Sequence, residues 1–383
     1  MSAAEPLAIE TPANDPLSVA RRLGPIFAER AAKAGDSDDF VAANFNDLKA
    51  SGLVEAGVPA ELGGGAADVA ALSAMLRELA RHCGSTALAF SMHTHQVAIP
   101  AWRWTRQKAT AVAPLLKKVA QERLILLSSG GSDWIAGSGK AERVEGGYRI
   151  TARKIFCSAS PAGDMLMTAA VLDGEPEGAN VLHFAVPMRA PGVTILNNWR
   201  TMDMRGTASN DVLIEGYFAP EGSIGAKREQ GRWHPLFEIT AMIAFPLIYA
   251  AYLGVAEGAR TIAVNMAAKR RASPHVIALV GRMDTELRAA QYAHEAMLAA
   301  ARGEPGPATT NEIMIGRSLV ARHALAATEL AIEAAGGAAF YREHGLERRF
   351  RDIQGARYHP MQTGPQQEFA GRMALGLDVS RTF

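Results

Sequence analysis

The segment Ile239–Ala256 constrains this chain more than any other: it carries no charged side chain from end to end. A run that long and apolar either crosses a membrane or is enclosed by protein on every side. Thr240, Pro246 and Gly254 interrupt it, and it lies mid-chain without the basic flanking loops that orient a membrane span. The run therefore predicts a buried helix inside a large helical bundle, with no membrane partner. Enclosing such a helix takes many apolar residues. A chain of 383 residues, 48% hydrophobic and 21% charged, supplies them.

The remaining composition excludes several classes. A net charge of +1 argues against a nucleic-acid partner, because phosphate binding needs clustered Lys and Arg, and Lys269-Arg270-Arg271 is too short a run. Two cysteines, Cys83 and Cys157, build neither a disulfide framework nor a metal cluster, and read as reduced, buried thiols. Met1–Leu17 lacks the basic start and apolar core of a signal peptide. These features together predict a cytoplasmic protein without a metal.

Periodicity divides the chain into three zones. In residues 1–120 the spacing is helical. Phe40–Leu53 and Val69–His82 carry apolar residues three and four apart, and Asp68 stands where a short carboxylate caps free helix amides. In residues 121–226 the texture turns to strands and turns: Tyr148–Thr151, Met165–Val171, Val181–Val186 and Val212–Glu215. The Gly and Pro spacing there suits a β-barrel or sandwich. In residues 227–383 long helices return, notably Arg282–Ala301 and Asn311–Ala335, the latter stopped by Gly336-Gly337. The predicted class is α+β: a helical domain, a central β domain, and a C-terminal helical bundle.

Five segments in this order carry a resemblance. Val58–Gly65 is similar to a VPxExGG turn, and Gly131-Ser132-Asp133 to a Gly-Ser-Asp flavin loop. Gly147–Ile150 followed by Lys154–Ser158 resembles a GY.ING.K.WIT segment, and Met204–Val212 an MRGTxSxDV segment. Gly336-Gly337, Glu347-Arg348 and Arg351-Asp352 match the spacing of a GG…E(R/K)xxRD segment. The chain thus resembles the acyl-CoA dehydrogenase superfamily over nearly its whole length.

The resemblance implies an N-terminal helical domain, a central β-barrel and a C-terminal four-helix bundle. It also implies α,β-dehydrogenation of an acyl-CoA or other acyl thioester, with FAD as hydride acceptor and an electron-transfer flavoprotein as redox partner. Phe156 would lie against the flavin ring, with Cys157 beside it and Ser158 near N5, while Gly131 and Ser132 would serve the flavin or the ligand. Gly336 and Gly337 would reach the FAD of a neighbouring subunit in a homodimer or homotetramer. From the residues alone, Phe156 reads as strand core and Ser158 as a strand-end turn residue, and only the motif lifts them; the Gly pair reads equally as a helix cap.

The chain departs from the family in ways that bear on chemistry. The RxxFG phosphate motif is absent, which leaves FMN, or reduced flavin from a partner reductase, beside FAD. The usual base follows the Arg-Asp pair by eight residues, a position held here by Pro360, which cannot take a proton. Two residues could replace it. Glu238 opens the apolar helix, where a minority of the family places its carboxylate, and desolvation would raise its pKa; it could also simply complement the helix dipole. His359 sits beside Pro360, as in the related two-component flavin monooxygenases that use reduced flavin and O2, and a histidine suits proton transfer near neutral pH. It could equally be a loop histidine held by a backbone carbonyl. A third reading is a non-catalytic flavin or acyl-thioester binding protein. His93 and His95, without further ligands, do not indicate a metal.

Overall fold

A computed structural model describes residues 15–35, 37–129, 131, 134–174, 178–269 and 273–380. Five helices form first: α1 (Pro16–Ala34), α2 (Ala42–Ala50), α3 (Val69–His82), α4 (Gly84–Gln107) and α5 (Ala113–Glu122). Helix α3 has the bounds its spacing predicts. Asp68 Oδ1 accepts from the Ala71 amide at 2.8 Å, and Leu72, Met75, Leu76 and Leu79 form its buried face. The helix expected over Phe40–Leu53 is shorter, because the chain leaves helical geometry at Gly52, where φ is 81°.

Eight strands follow: β1 (Leu126–Ser128), β2 (Lys140–Val144), β3 (Gly147–Cys157), β4 (Met165–Leu172), β5 (Asn180–Pro187), β6 (Val193–Ile195), β7 (Asn210–Pro220) and β8 (Ala226–Glu229). They make one sheet in the order β6-β7-β3-β2-β4-β5-β8, with β1 on the edge of β4 that β2 also uses. The expected barrel is corrected to an open sheet: β6 and β8 end the path and do not pair among the described residues. Strands of three and four residues at the two ends carry too few backbone groups to close it.

The last third is α6 (Pro235–Ala268), α7 (Pro274–Ala300), α8 (Pro307–Ala335), α9 (Leu346–Asp352) and α10 (Thr363–Ala374). The most apolar window of α6 is 94% buried. It packs against α3, α4, α7 and α8. The expected four-helix bundle therefore takes one of its long walls from the N-terminal zone, since α9 and α10 are short. Close approach explains the choice of α3. A Cβ on Gly254 would fall 2.2 Å from the Arg77 carbonyl oxygen, and one on Gly258 would fall 2.6 Å from that of Arg81. Beside this contact Arg77 Nε donates to the buried Glu257 at 2.9 Å, and Gln291 Nε2 donates to the same carboxylate at 2.7 Å.

Two buried histidines tie elements together, and a third bonds within its own helix. His93 Nε2 donates to the Val54 carbonyl at 2.9 Å, while its Nδ1 accepts from the Leu126 amide at 3.0 Å. His95 Nδ1 donates to the Ser91 carbonyl at 3.0 Å, and His294 Nε2 to the Pro246 carbonyl at 2.9 Å. Burial holds all three imidazoles down to about 4.

Two outcomes follow from this packing. Gly254→Ala should lower the thermal midpoint in line with about 1–3 kcal/mol of overpacking. Gly281→Ala, on α7 where a Cβ meets nothing within 4 Å, should raise it slightly. A Gly254→Ala protein as stable as the parent would refute the close approach. For the histidines, the unfolded chain binds protons near pH 6.5 and the folded chain only near 4, so the unfolded state holds more protons between these values. Stability should be full above about 6.5 and fall on acidification through that window; thermal midpoints at pH 7 and 5 check it, and a flat profile contradicts it.

Candidate functional site

The site is built where polar atoms on buried helices demand partners. Arg317 of α8 is buried, with its guanidinium 5.1 Å from the ring centre of Tyr249 on α6. Its Nη2 donates to the His359 carbonyl at 2.6 Å and more weakly to that of Ala356 at 3.3 Å. Tyr249 Oη donates to the Ala356 carbonyl at 2.8 Å. One helical turn further along, Tyr252 Oη meets His359 Nε2 at 2.7 Å. Backbone and side chain of the loop after α9 are thus both held from α6 and α8.

The loop after β1 closes on the same place. A Cβ at Gly131 would lie 2.5 Å from Pro360 Cγ, so only glycine permits this approach. Arg228 of β8 steadies that loop: Nη1 donates to the Ile135 carbonyl at 2.6 Å, Nη2 to that of Trp134 at 3.0 Å, and Nε to His183 Nε2 at 3.0 Å. Trp134 stacks on Phe245 of α6, with ring centres 5.4 Å apart and planes 21° apart. Ser132 lies outside the described residues.

The electrostatics of His359 differ from expectation. The residue keeps part of its surface open, yet desolvation first, then the charges of Arg317 and His95, hold its imidazole down to about 3. It is neutral across the physiological range and does not titrate near neutrality. Tyr252, wholly buried, stays protonated well above its ordinary value. The phenol can therefore donate to Nε2, which leaves the ring proton on Nδ1. Among the described residues the charges that act on His359 include no carboxylate.

Glu238 stands in the first turn of α6, partly buried. Desolvation raises its pKa, and a hydrogen bond from the Trp233 side chain opposes the rise. It is fourteen residues from Tyr252 on one helix, or roughly 20 Å along the axis. Among the described residues, no hydrogen bond or ion pair joins the two candidates for the base, Glu238 and His359.

A second group lies at the end of β3. A register shift between Lys154 and Cys157 breaks the alternation of the strand, so that Ile155 and Phe156 both face outward, Phe156 50% exposed, and Cys157 turns inward, fully buried with its thiol at the Lys154 carbonyl. The Cys157 side chain is therefore core; only its backbone faces the Phe156 side. Phe156 meets Trp199 edge to face, ring centres 5.4 Å apart. Ser158 Oγ lies 2.8 Å from Ser209 Oγ, which lies 2.7 Å from Thr207 Oγ1, which donates to the Met204 carbonyl at 2.8 Å. Asp352, the second residue of the Arg-Asp pair, accepts from the Met204 amide at 3.0 Å, and Arg351 pairs with Asp203 at 2.6 Å.

Gly336 ends α8 with φ at 67°, and Gly337 opens onto free space. Among the described residues no hydrogen bond joins this pair to Phe156 or Ser158. Phe340, just beyond, is 91% exposed.

Tyr252, Arg317 and His95 were not legible as site residues. Tyr252 sits inside the apolar run, Arg317 in an Ala-rich helix, and His95 beside the structural His93. The only sequence signal was their oddity: one phenol and one cation at helix-core spacing.

Comparison with known proteins bears on the fold that carries these residues. Residues 19–118 match the family described as Acyl-CoA dehydrogenase, N-terminal domain, and residues 247–363 match Acyl-CoA dehydrogenase, C-terminal domain. An amino sugar nitrososynthase of Streptomyces peucetius is 26% identical over 362 residues, covering 87% of this chain and 86% of its own. The crystal structure of a nitrososynthase from Micromonospora carbonacea var. africana superposes with a TM-score of 0.86 at 23% identity, over 98% of this chain and 100% of that one. An FMN-bound dibenzothiophene monooxygenase from Paenibacillus sp. A11-2 superposes with a TM-score of 0.81 at 20% identity, over 94% and 97%. With both family domains matched in order around the central sheet, the chain is a divergent member of the acyl-CoA dehydrogenase superfamily.

Proposed function

We propose that this protein is a flavin-dependent monooxygenase that receives reduced flavin from a separate reductase and oxygenates a lone-pair nucleophile, a nitrogen or sulfur centre. The observation that carries the reading is the neutral His359, locked to Tyr252, beside Pro360 where a carboxylate would have to stand for dehydrogenation. The nitrososynthase and monooxygenase relatives point the same way.

The residues suit a flavin. The exposed face of Phe156, braced by Trp199, offers an apolar surface for a ring system, and Ser158 stands at its edge. Gly131 keeps backbone close to the His359 loop. FMN is the favoured form because a structural neighbour, the Paenibacillus monooxygenase, was solved with FMN bound, and the FAD phosphate motif is missing. Gly336 and Gly337, with the exposed Phe340, would serve a neighbouring subunit of a homo-oligomer.

A bound reduced flavin supplies two electrons, so that O2, two protons and the substrate lone pair become an oxygenated product and water. The chain's own residues govern protons and water. His359 presents Nδ1–H as a neutral donor toward the reacting oxygen, and Tyr252 holds the ring in that tautomer. Arg317 fixes the loop backbone, and the Trp134–Phe245 stack keeps that side of the site apolar.

Two tests follow. Anaerobic mixing of flavin-loaded protein with octanoyl-CoA should leave the flavin spectrum unchanged, whereas bleaching would restore the dehydrogenase reading with Glu238 as base. In the oxygenase assay with dibenzothiophene as thioether probe, His359→Ala should lose about 100-fold in turnover while still binding FMN. Glu238→Gln should stay within about twofold of the parent, since Glu238 is given no part in proton transfer. Second, Phe156→Ala should weaken FMN binding about tenfold by fluorescence titration, with an unchanged thermal midpoint because the ring is half exposed. Unaltered FMN affinity would remove Phe156 from the site.

A further inference from the structure

The three hydroxyls behind Phe156 hold a count of protons that admits one arrangement. Thr207 is wholly buried, and its single hydroxyl proton is committed to the Met204 carbonyl, which can only accept. Thr207 Oγ1 must therefore accept in its contact with Ser209, so Ser209, itself 4% exposed, spends its proton there. Ser209 Oγ then must accept in its contact with Ser158, and Ser158 spends its proton in turn. The chain runs one way, from Ser158 to Ser209 to Thr207 to Met204. Its far end is fixed, because the Met204 amide is held by the buried Asp352. The outer end, Ser158 Oγ, is left with lone pairs only.

We infer that this relay makes Ser158 an obligate acceptor, and so a selector of the reduced form of the flavin, with Thr207 and Ser209 as positioning residues. The inference rests on the flavin reading above and deepens it. The reactive ring nitrogen of a flavin carries an N–H when reduced and a bare lone pair when oxidised. An acceptor oxygen at that nitrogen pairs with the first and leaves two lone pairs facing each other with the second. Such a site favours reduced flavin on arrival and releases the oxidised form after turnover, which a protein supplied by a separate reductase requires.

The test measures binding of FMN in both oxidation states to the full chain, by fluorescence for the oxidised form and anaerobically after dithionite for the reduced form. In the parent, reduced FMN should bind about tenfold tighter or more, which for a two-electron couple raises the bound potential by about 30 mV relative to free FMN. Thr207→Val frees the Ser209 proton to point back at Ser158, and Ser158 can then donate. The preference should collapse toward unity, although Thr207 is two hydroxyls away from the ligand. Thr207→Ser, which keeps the hydroxyl, should retain the parent ratio and controls for folding, as does the thermal midpoint. An equal ratio in the parent and in Thr207→Val, with FMN still bound, overturns the relay but leaves the flavin reading standing. No saturable FMN binding in either state overturns both.

Discussion

Everything in this fold answers to the enclosure of α6. Over its most apolar window, with a mean hydropathy of 1.9, this 34-residue helix has no polar face to turn outward, so protein must surround it. Gly254 and Gly258 let α3 approach to backbone contact on one side, and α4, α7 and α8 cover the others. Few polar atoms remain on the buried stretch, and each must find a partner there. The hydroxyls of Tyr249 and Tyr252 find theirs in the loop after α9. The requirement that buries the helix thus also places His359.

The sequence displayed local features well and long-range ones poorly. Helix α3 and its Asp68 cap follow from spacing and capping chemistry alone, as do β4 and β5 from apolar runs. The open edges of the sheet were not visible, because they depend on how short β6 and β8 are and on pairing across distant segments. Nor was the role of α3 as a wall of the bundle, which depends on two glycines meeting carbonyls some 180 residues away. At the site, counting from Arg351-Asp352 found His359 and the absent carboxylate. It could not find Tyr252, Arg317 or His95, since each sits in a helix whose periodicity reads as core. The inward turn of Cys157 was not available from period-two alternation, which from Tyr148, Ile150 and Ala152 would bury Phe156 and expose Cys157; it depends on the register shift between Lys154 and Cys157.

The two halves of the site are joined by carboxylates that take no part in its chemistry. Asp352 at the end of α9 holds the Met204 amide, and Arg351 beside it holds Asp203. Burial, and then the neighbouring Asp352, push the Asp203 carboxyl well above the usual carboxylate range, which favours a hydrogen bond shared between the two acids. The Arg-Asp pair therefore clamps the turn that carries Thr207 and Ser209 to the helix that leads into the His359 loop.

Exchange of a carboxylate for Pro360 and His359 bears directly on which reactions the site can support. Taking a weakly acidic proton from carbon needs a base whose conjugate acid is comparably weak. An imidazole held at about 3 by burial, Arg317 and His95 is a poorer base than an ordinary carboxylate, so it does not stand in for the lost glutamate. The neutral ring keeps one N–H to donate to an oxygen that gains negative charge, and the Arg317 cation nearby favours that charge. Adding a cation and a second histidine around His359 would be a defect in a dehydrogenase. In a site that must donate a hydrogen bond to oxygen while staying neutral itself, it is the arrangement that electrostatics favours.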